Sequence, residues 1–306
     1  MRVILCVIIL TILACKKPMN ENKEPYAVVL GVAQDAGYPQ AGCEKDCCKE
    51  AWKDYTKRRY ISSLAIVDPV TKQQWIFDAT PDIKFQLNLL EEISNINPIS
   101  GVFITHAHIG HYTGLLQFGR EVMGCSNLPV FCMPRMGNFI KTQAPWNQLV
   151  KINNINIKSI QNDSLITLNE RINVTPLLVP HRDEYSETVG YKIITNKKKL
   201  LFIPDIDKWE KWDVNIKTLI KEIDYAFLDG TFYNDGELER DMSEIPHPFV
   251  KESMSIFSDL SKSEKEKIHF THFNHTNPLL IAGSSARAQV IKEGFNIAEQ
   301  GQIVKL

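Results

Sequence analysis

Four short apolar runs in this chain each end on a residue able to ligate a metal, and that repetition limits how the chain can fold. Gly101-Val-Phe-Ile-Thr105 runs into His106-Ala-His108-Ile-Gly110-His111. Leu177-Leu-Val-Pro180 stops at His181, Leu200-Leu-Phe-Ile-Pro204 stops at Asp205, and His269-Phe-Thr271 leads to His272-Phe-Asn-His275. Such runs read as buried strands, and functional side chains gather at strand ends held by a rigid scaffold. If the strands lie side by side, their ends converge. A lone histidine on an apolar face is usually a core residue, but three within six residues at a strand end point to a metal site. Imidazole and carboxylate suit zinc, and also manganese and iron(II).

The rest of the chain alternates strand and helix signals. Strands are expected at Tyr26–Val32, Ser62–Val67, Trp75–Phe77, Val102–Thr105 and Val130–Met133. More are expected at Ile155–Ile160, Ile172–Val179, Gly190–Ile194, Lys199–Ile203, Tyr225–Leu228, Lys267–Thr271 and Gln302–Leu306. Helical periodicity is read at Pro81–Ile93, Gly114–Met123, Gly137–Thr142, Asn215–Glu222, Val250–Leu260 and Leu279–Gly294, and Gln34–Cys48 reads as a loop rich in Gly, Pro and Cys. This interleaving favours a layered α/β fold with sheets in the middle and helices outside. No linker divides residues 26–306, so one domain is expected.

The first fourteen residues read as a signal peptide, Arg2 preceding the apolar run Val3–Leu13. Ile12-Leu-Ala-Cys15 resembles a bacterial lipobox, which implies cleavage before Cys15 and a lipid on that residue. Residues 15–25 read as a polar tether. The expectation is a lipoprotein of the bacterial cell envelope, anchored but not spanning. A formal net charge of −1, with no basic stripe and no glycine-rich nucleotide loop, argues against nucleic acid and for a small-molecule substrate. Lys197-Lys-Lys199 reads as a solvated hairpin turn. Without Cys6 and Cys15, five cysteines remain of the seven. Cys43-x-x-x-Cys47-Cys48 allows either a zinc site or, in an oxidising compartment, a disulfide.

Thr105-His-Ala-His-Ile-Gly-His111 resembles the His-x-His-x-Asp-His signature of the metallo-β-lactamase fold. Leu30–Gln40, His108–Leu115, Leu228–Phe232 and His272–Leu279 are closer to the PQQ biosynthesis protein B family, with a further likeness to the phosphodiesterase and ribonuclease Z branches. The resemblance implies an αββα sandwich, two mixed sheets flanked by helices, with the metal site along the edge between them. It implies that His106, His108 and His181 hold a first ion, that Asp205 bridges, and that His111 and His272 serve a second. It also implies His275 as a fourth ligand beside Cys43, Cys47 and Cys48. The chain departs from the signature at Gly110, where dinuclear members carry an aspartate. A well-made first site beside a second site one carboxylate poorer is therefore expected.

His247, in Ile245-Pro-His-Pro248, is either a general acid, as the resemblance implies, or a loop histidine. Asp229 either orders the site or merely makes a turn before Gly230. Arg182 and Tyr185, just after His181, are candidates for substrate recognition. The leading reading is a metal-dependent hydrolase acting through activated water on a phosphodiester or other anionic ester. It would carry one or two catalytic zinc ions, with Fe2+ or Mn2+ also compatible, and possess a structural zinc if the cysteines bind one. The alternatives are an iron-dependent oxidative enzyme and a non-catalytic, metal-stabilised binding lipoprotein.

Overall fold

The computed structural model describes residues 23–306, so the signal-like segment, Cys15 and most of the tether lie outside the described residues. Among those described, fourteen strands form two seven-stranded sheets. In chain order they are β1 (Tyr26–Gly31), β2 (Ser63–Asp68), β3 (Gln73–Phe77), β4 (Gly101–Phe103), β5 (Leu128–Cys132), β6 (Ile155–Ser159) and β7 (Ile166–Thr167). They continue with β8 (Ile172–Leu178), β9 (Val189–Thr195), β10 (Lys199–Ile203), β11 (Tyr225–Asp229), β12 (Ile268–Thr271), β13 (Asn296–Ile297) and β14 (Ile303–Lys305). The first sheet runs β14-β1-β2-β3-β4-β5-β6 and the second β13-β12-β11-β10-β9-β8-β7. Both are mixed: β3 to β6 and β10 to β13 are parallel, and the other neighbours are antiparallel.

Alternation along each strand explains the layers, because successive side chains point to opposite faces. Ala27, Val29, Leu64, Ile66, Phe77 and Phe103 enter a core shared with the second sheet. Val28, Leu30, Ala65, Val67, Ile76 and Val102 face the other way, into a core under the flanking helices. Phe77 stacks on Phe103 at 4.8 Å and meets Tyr191 and Phe202 of the second sheet edge-on at 5.3 and 6.4 Å. The buried Tyr191 hydroxyl donates to the Ile104 carbonyl at 2.6 Å, pinning β9 to the end of β4 just before His106. The αββα sandwich is as the resemblance implied.

Two helix expectations and one loop expectation change. Residues 114–123 do not form an α-helix. A short helix covers Ile109–Tyr112, a 3-10 turn covers Thr113–Phe118, and the chain turns extended at Gly119, leaving Val122 exposed. Residues 279–294 split at Gly283 (φ +77°), and Ser284 caps a separate helix, Ser285–Lys292. The supposed loop 34–48 ends in helix α1 (Asp46–Lys53), while α2 (Ile83–Ser94) lies where expected. The helix at Trp146–Lys151 and the two-residue strands β7 and β13 give too little periodicity to be read. Among the described residues no helix is long and apolar enough to cross a membrane.

Candidate metal centre

Strand direction brings the ligands together. β10, β11 and β12 are parallel, and β8 shares their direction because β9 opposes both β8 and β10. His181, Asp205, Asp229 and His272 therefore emerge at one end of the second sheet, and β4 delivers His106 and His108 from the first. The expected convergence occurs, but across two sheets, and in the second sheet β9 lies between the strands that carry His181 and Asp205. His272 (φ +63°) and Asp78 (φ +72°) sit in the left-handed region, a costly backbone conformation that tends to mark functional positions.

His106 Nε2 lies 2.8 Å from His108 Nδ1, and His181 Nε2 lies 3.3 Å from that same atom. Asp205 completes the group, with Oδ2 3.3 Å from His106 Nε2 and Oδ1 3.4 Å from His181 Nε2. Tetrahedral ligands about 2.0–2.1 Å from zinc stand about 3.3 Å apart, so this spacing fits one ion. The other ring nitrogen of each histidine is engaged: His106 Nδ1 lies 3.0 Å from Thr105 Oγ1, His108 Nε2 3.1 Å from Glu184, and His181 Nδ1 3.2 Å from Asp207. Metal-ligating histidines are oriented in this way. Burial, reinforced by the neighbouring His111, holds the His106 pKa well below its usual value and keeps the imidazole neutral, as ligation requires. Burial opposes ionisation of Asp205, but the imidazoles of His181, His247 and His272 outweigh it and hold the carboxyl well below the usual range.

A second group adjoins the first. His111 Nε2 and His272 Nε2 lie 3.8 and 3.9 Å from Asp205 Oδ2. Their Nδ1 atoms are taken, His111 by Asp78 at 2.7 Å and His272 by Thr231 Oγ1 at 2.9 Å. The third member is Asp35, whose Oδ1 lies 3.2 Å from His111 Nε2. Asp35 was not singled out in the sequence: it lies in the Gln34–Cys48 loop, inside the resembling stretch Leu30–Gln40, with no local spacing to tie it to His111. Buried polar atoms without a hydrogen-bond partner include Asp35 Oδ1, His111 Nε2, Asp205 Oδ1 and His272 Nε2. Orphaned polar atoms are costly inside a protein, and four converging ones are the signature of a place built for a cation. The donor set thus fits the metal that the fold implies.

His247 is buried, not a surface loop residue. Its Nδ1 lies 2.8 Å from Asp229 Oδ2 and 3.1 Å from Asp205 Oδ1. Burial disfavours its charged form, but the Asp229 and Asp205 carboxylates prevail and raise its pKa well above the usual value. Asp229 does more than make a turn: it also accepts from the backbone of Ile206 and Thr231 and from the Thr231 hydroxyl. Tyr185 is exposed against Phe139, and it is Glu184 that reaches His108.

The cysteines form a separate cluster. Cys43 Sγ and Cys47 Sγ are 3.9 Å apart, and His275 Nδ1 lies 3.6 and 3.4 Å from the sulfurs of Cys47 and Cys48. All three cysteines are unbridged. Thiolates about 2.3 Å from a tetrahedral zinc stand about 3.8 Å apart, which these four donors match. Burial pushes the Cys48 thiol up to about 12, so without a cation it stays protonated.

Residues 74–273 match the family model described as "Beta-lactamase superfamily domain". Coenzyme PQQ synthesis protein B of Pseudomonas putida (strain GB-1) is 26% identical, covering 92% of this chain and 100% of its own length. The crystal structure of Zn(2+)-bound PqqB from Methylobacterium extorquens superposes with a TM-score of 0.77 at 23% identity, covering 92% of this chain and 100% of that one. A diphosphatase from the PhnP family gives a TM-score of 0.66 at 20% identity, covering 92% and 97%. With the family match spanning most of both sheets and the donors gathered where they meet, the chain belongs to the β-lactamase superfamily and has the metallo-β-lactamase fold.

Proposed function

We propose that the chain is a metal-dependent hydrolase of anionic esters, with phosphodiesters as its substrate class. The observation that carries this reading is the buried Asp229–His247 pair against Asp205. A proton donor placed beside a metal cluster serves ester cleavage, because a departing alkoxide must be protonated. His106, His108, His181 and Asp205 would hold the indispensable cation. When bound there, a divalent ion supplies Lewis acidity and lowers the pKa of water toward neutrality.

The protein's own groups do the rest. Asp229 fixes the ring of His247 through Nδ1, so its other nitrogen can donate to the leaving oxygen. Glu184, Asp207, Thr105 and Thr231 set the ring orientations. Beside Asp35 a cavity of about 620 Å³ extends to Arg58, Arg59, Tyr60 and Phe85, offering guanidinium groups to an anion. Similarity to a diphosphatase supports an anionic, phosphorylated substrate. The lipobox-like run places this chemistry, in our reading, on an envelope-anchored protein.

Leaving-group dependence tests the proposal. His247→Asn should keep its metal and lose about 10²–10⁴-fold in kcat on an alkyl phosphodiester. It should lose little on a nitrophenyl diester, whose leaving group needs no acid. Wild-type activity should fall as pH rises through the elevated His247 pKa, and the variant should lack that limb. Equal losses on both substrates would remove the acid role. Fe(II)-dependent oxygen consumption with no turnover under zinc would replace hydrolysis by the oxidative reading.

A further inference from the structure

We infer that the carboxylate absent from position 110 is supplied by Asp35, which completes a second cation site with His111, His272 and Asp205. The inference rests on the metal-centre reading above and extends it to the number of ions and their ligands.

A Cβ built on Gly110 would meet Asp35 Oδ1 at 2.2 Å, Asp35 Cα at 2.6 Å and Asp35 Cβ at 3.0 Å. A side chain at 110 and Asp35 in its present place exclude each other. The glycine is therefore the vacancy into which another carboxylate has moved, from the loop after β1 instead of from the short helix carrying His111. Carboxylate count is conserved while its source in the chain changes.

Asp35 Oδ1 and His111 Nε2 are 3.2 Å apart, yet neither makes a hydrogen bond. Both atoms, with His272 Nε2, are buried and unpartnered. An ion pair would align the N–H with the oxygen. These donors instead lie within 4.8 Å of one another with no bond between them, the arrangement a shared cation would leave.

Phe273 N donates to the Val32 carbonyl at 2.7 Å, and Gln34 N to the Phe273 carbonyl at 2.8 Å. These bonds flank Asp35 and His272, fixing one against the other through the backbone. Gly37 at φ +71° then donates to the Gln34 carbonyl at 2.7 Å, closing the turn around Asp35. Two imidazoles and two carboxylates suit Mn2+, Fe2+ or Zn2+.

The test is cation stoichiometry in the full mature protein, loaded with Mn2+ after chelation and read by elemental analysis and electron paramagnetic resonance. Wild type should bind two Mn2+ ions sharing Asp205 and give a spin-coupled spectrum. Asp35→Asn should bind one fewer, or bind the second beyond the ~10–100-fold weakening that loss of a supporting residue brings, and give an uncoupled signal. Its melting temperature in chelator should match wild type, which separates ligand loss from misfolding. Gly110→Ala, whose Cβ displaces Asp35, should lose the same ion. Two coupled ions in Asp35→Asn would overturn the inference. One ion in both proteins would overturn it too while leaving the first site intact. No ion in wild type would instead sink the metal-centre reading itself.

Discussion

Asp78 illustrates how much a single side chain carries here. Its carboxylate accepts from His111 Nδ1 at 2.7 Å, from the Thr105 amide at 2.8 Å and from the Thr105 hydroxyl at 2.9 Å, all without solvent. It does so from φ +72°, a conformation asparagine and aspartate tolerate better than other side chains. Asp78→Ala should lose about 2–4 kcal/mol of stability in chelator, because buried donors are stranded. It should also weaken cation binding by about 10–100-fold, since an orienting partner is gone. Asp78→Asn, which keeps an acceptor and the backbone preference, should fall between alanine and wild type. Denaturant melts and metal titrations measure both effects. Gly110→Asp, an attractive repair from the sequence alone, is instead expected to disrupt, because Asp35 already fills the space.

Strand β12 carries one histidine and leads into another, and the two have different fates. His272, just past its end, joins the metal cluster. His269 points elsewhere, stacks on Phe227 at 4.9 Å, and burial pushes its pKa down to about 4. Between about pH 6.5 and 4 the unfolded chain holds a proton there that the folded chain refuses. The neutral ring's contribution is thus complete above 6.5 and lost as pH falls, amounting to about 3 kcal/mol at pH 4. His269→Phe should flatten that acid loss, read as the difference between the stability profiles of variant and wild type. Elements like β12 were legible because a β-branched or aromatic run ending in His or Asp is a local pattern. The clustering of His106, His108, His181 and His272 was legible for the same reason, as was the approach of His275 to the cysteines once the resemblance was drawn. Asp35, Asp78, Asp207 and Thr231 were not, because each matters only through a partner distant in sequence. The helix expected at 114–123 failed because apolar spacing cannot see what lies against Gly114, whose Cβ would meet the Thr80 carbonyl at 2.1 Å. That close approach lets Gly114 N bond the Ala79 carbonyl and seats the histidine loop on β3's exit.

At the scale of the whole molecule, the candidate centre draws its donors from both sheets, which also meet through side-chain packing and through backbone bonds such as Val189 N to the Thr105 carbonyl at 3.1 Å. His106, His108 and His111 belong to one, and His181, Asp205 and His272 to the other. Chelation should therefore lower the melting temperature; an ion at a thousand times its Kd adds about 4 kcal/mol to the folded state. Hydrogen exchange should quicken at Ile104 and Ile203, near the cluster, while the β2–β3 hairpin keeps its protection. β14 lies on β1, and Phe273 holds the loop that bears Asp35. Contacts so far apart in sequence close late in folding, so a chain still being synthesised has Asp35 and the early histidines but no finished cavity. The proposed ion would then be acquired wherever the last strands dock. For donors that accept several first-row metals, availability in that compartment then weighs as heavily as geometry in deciding which one is installed.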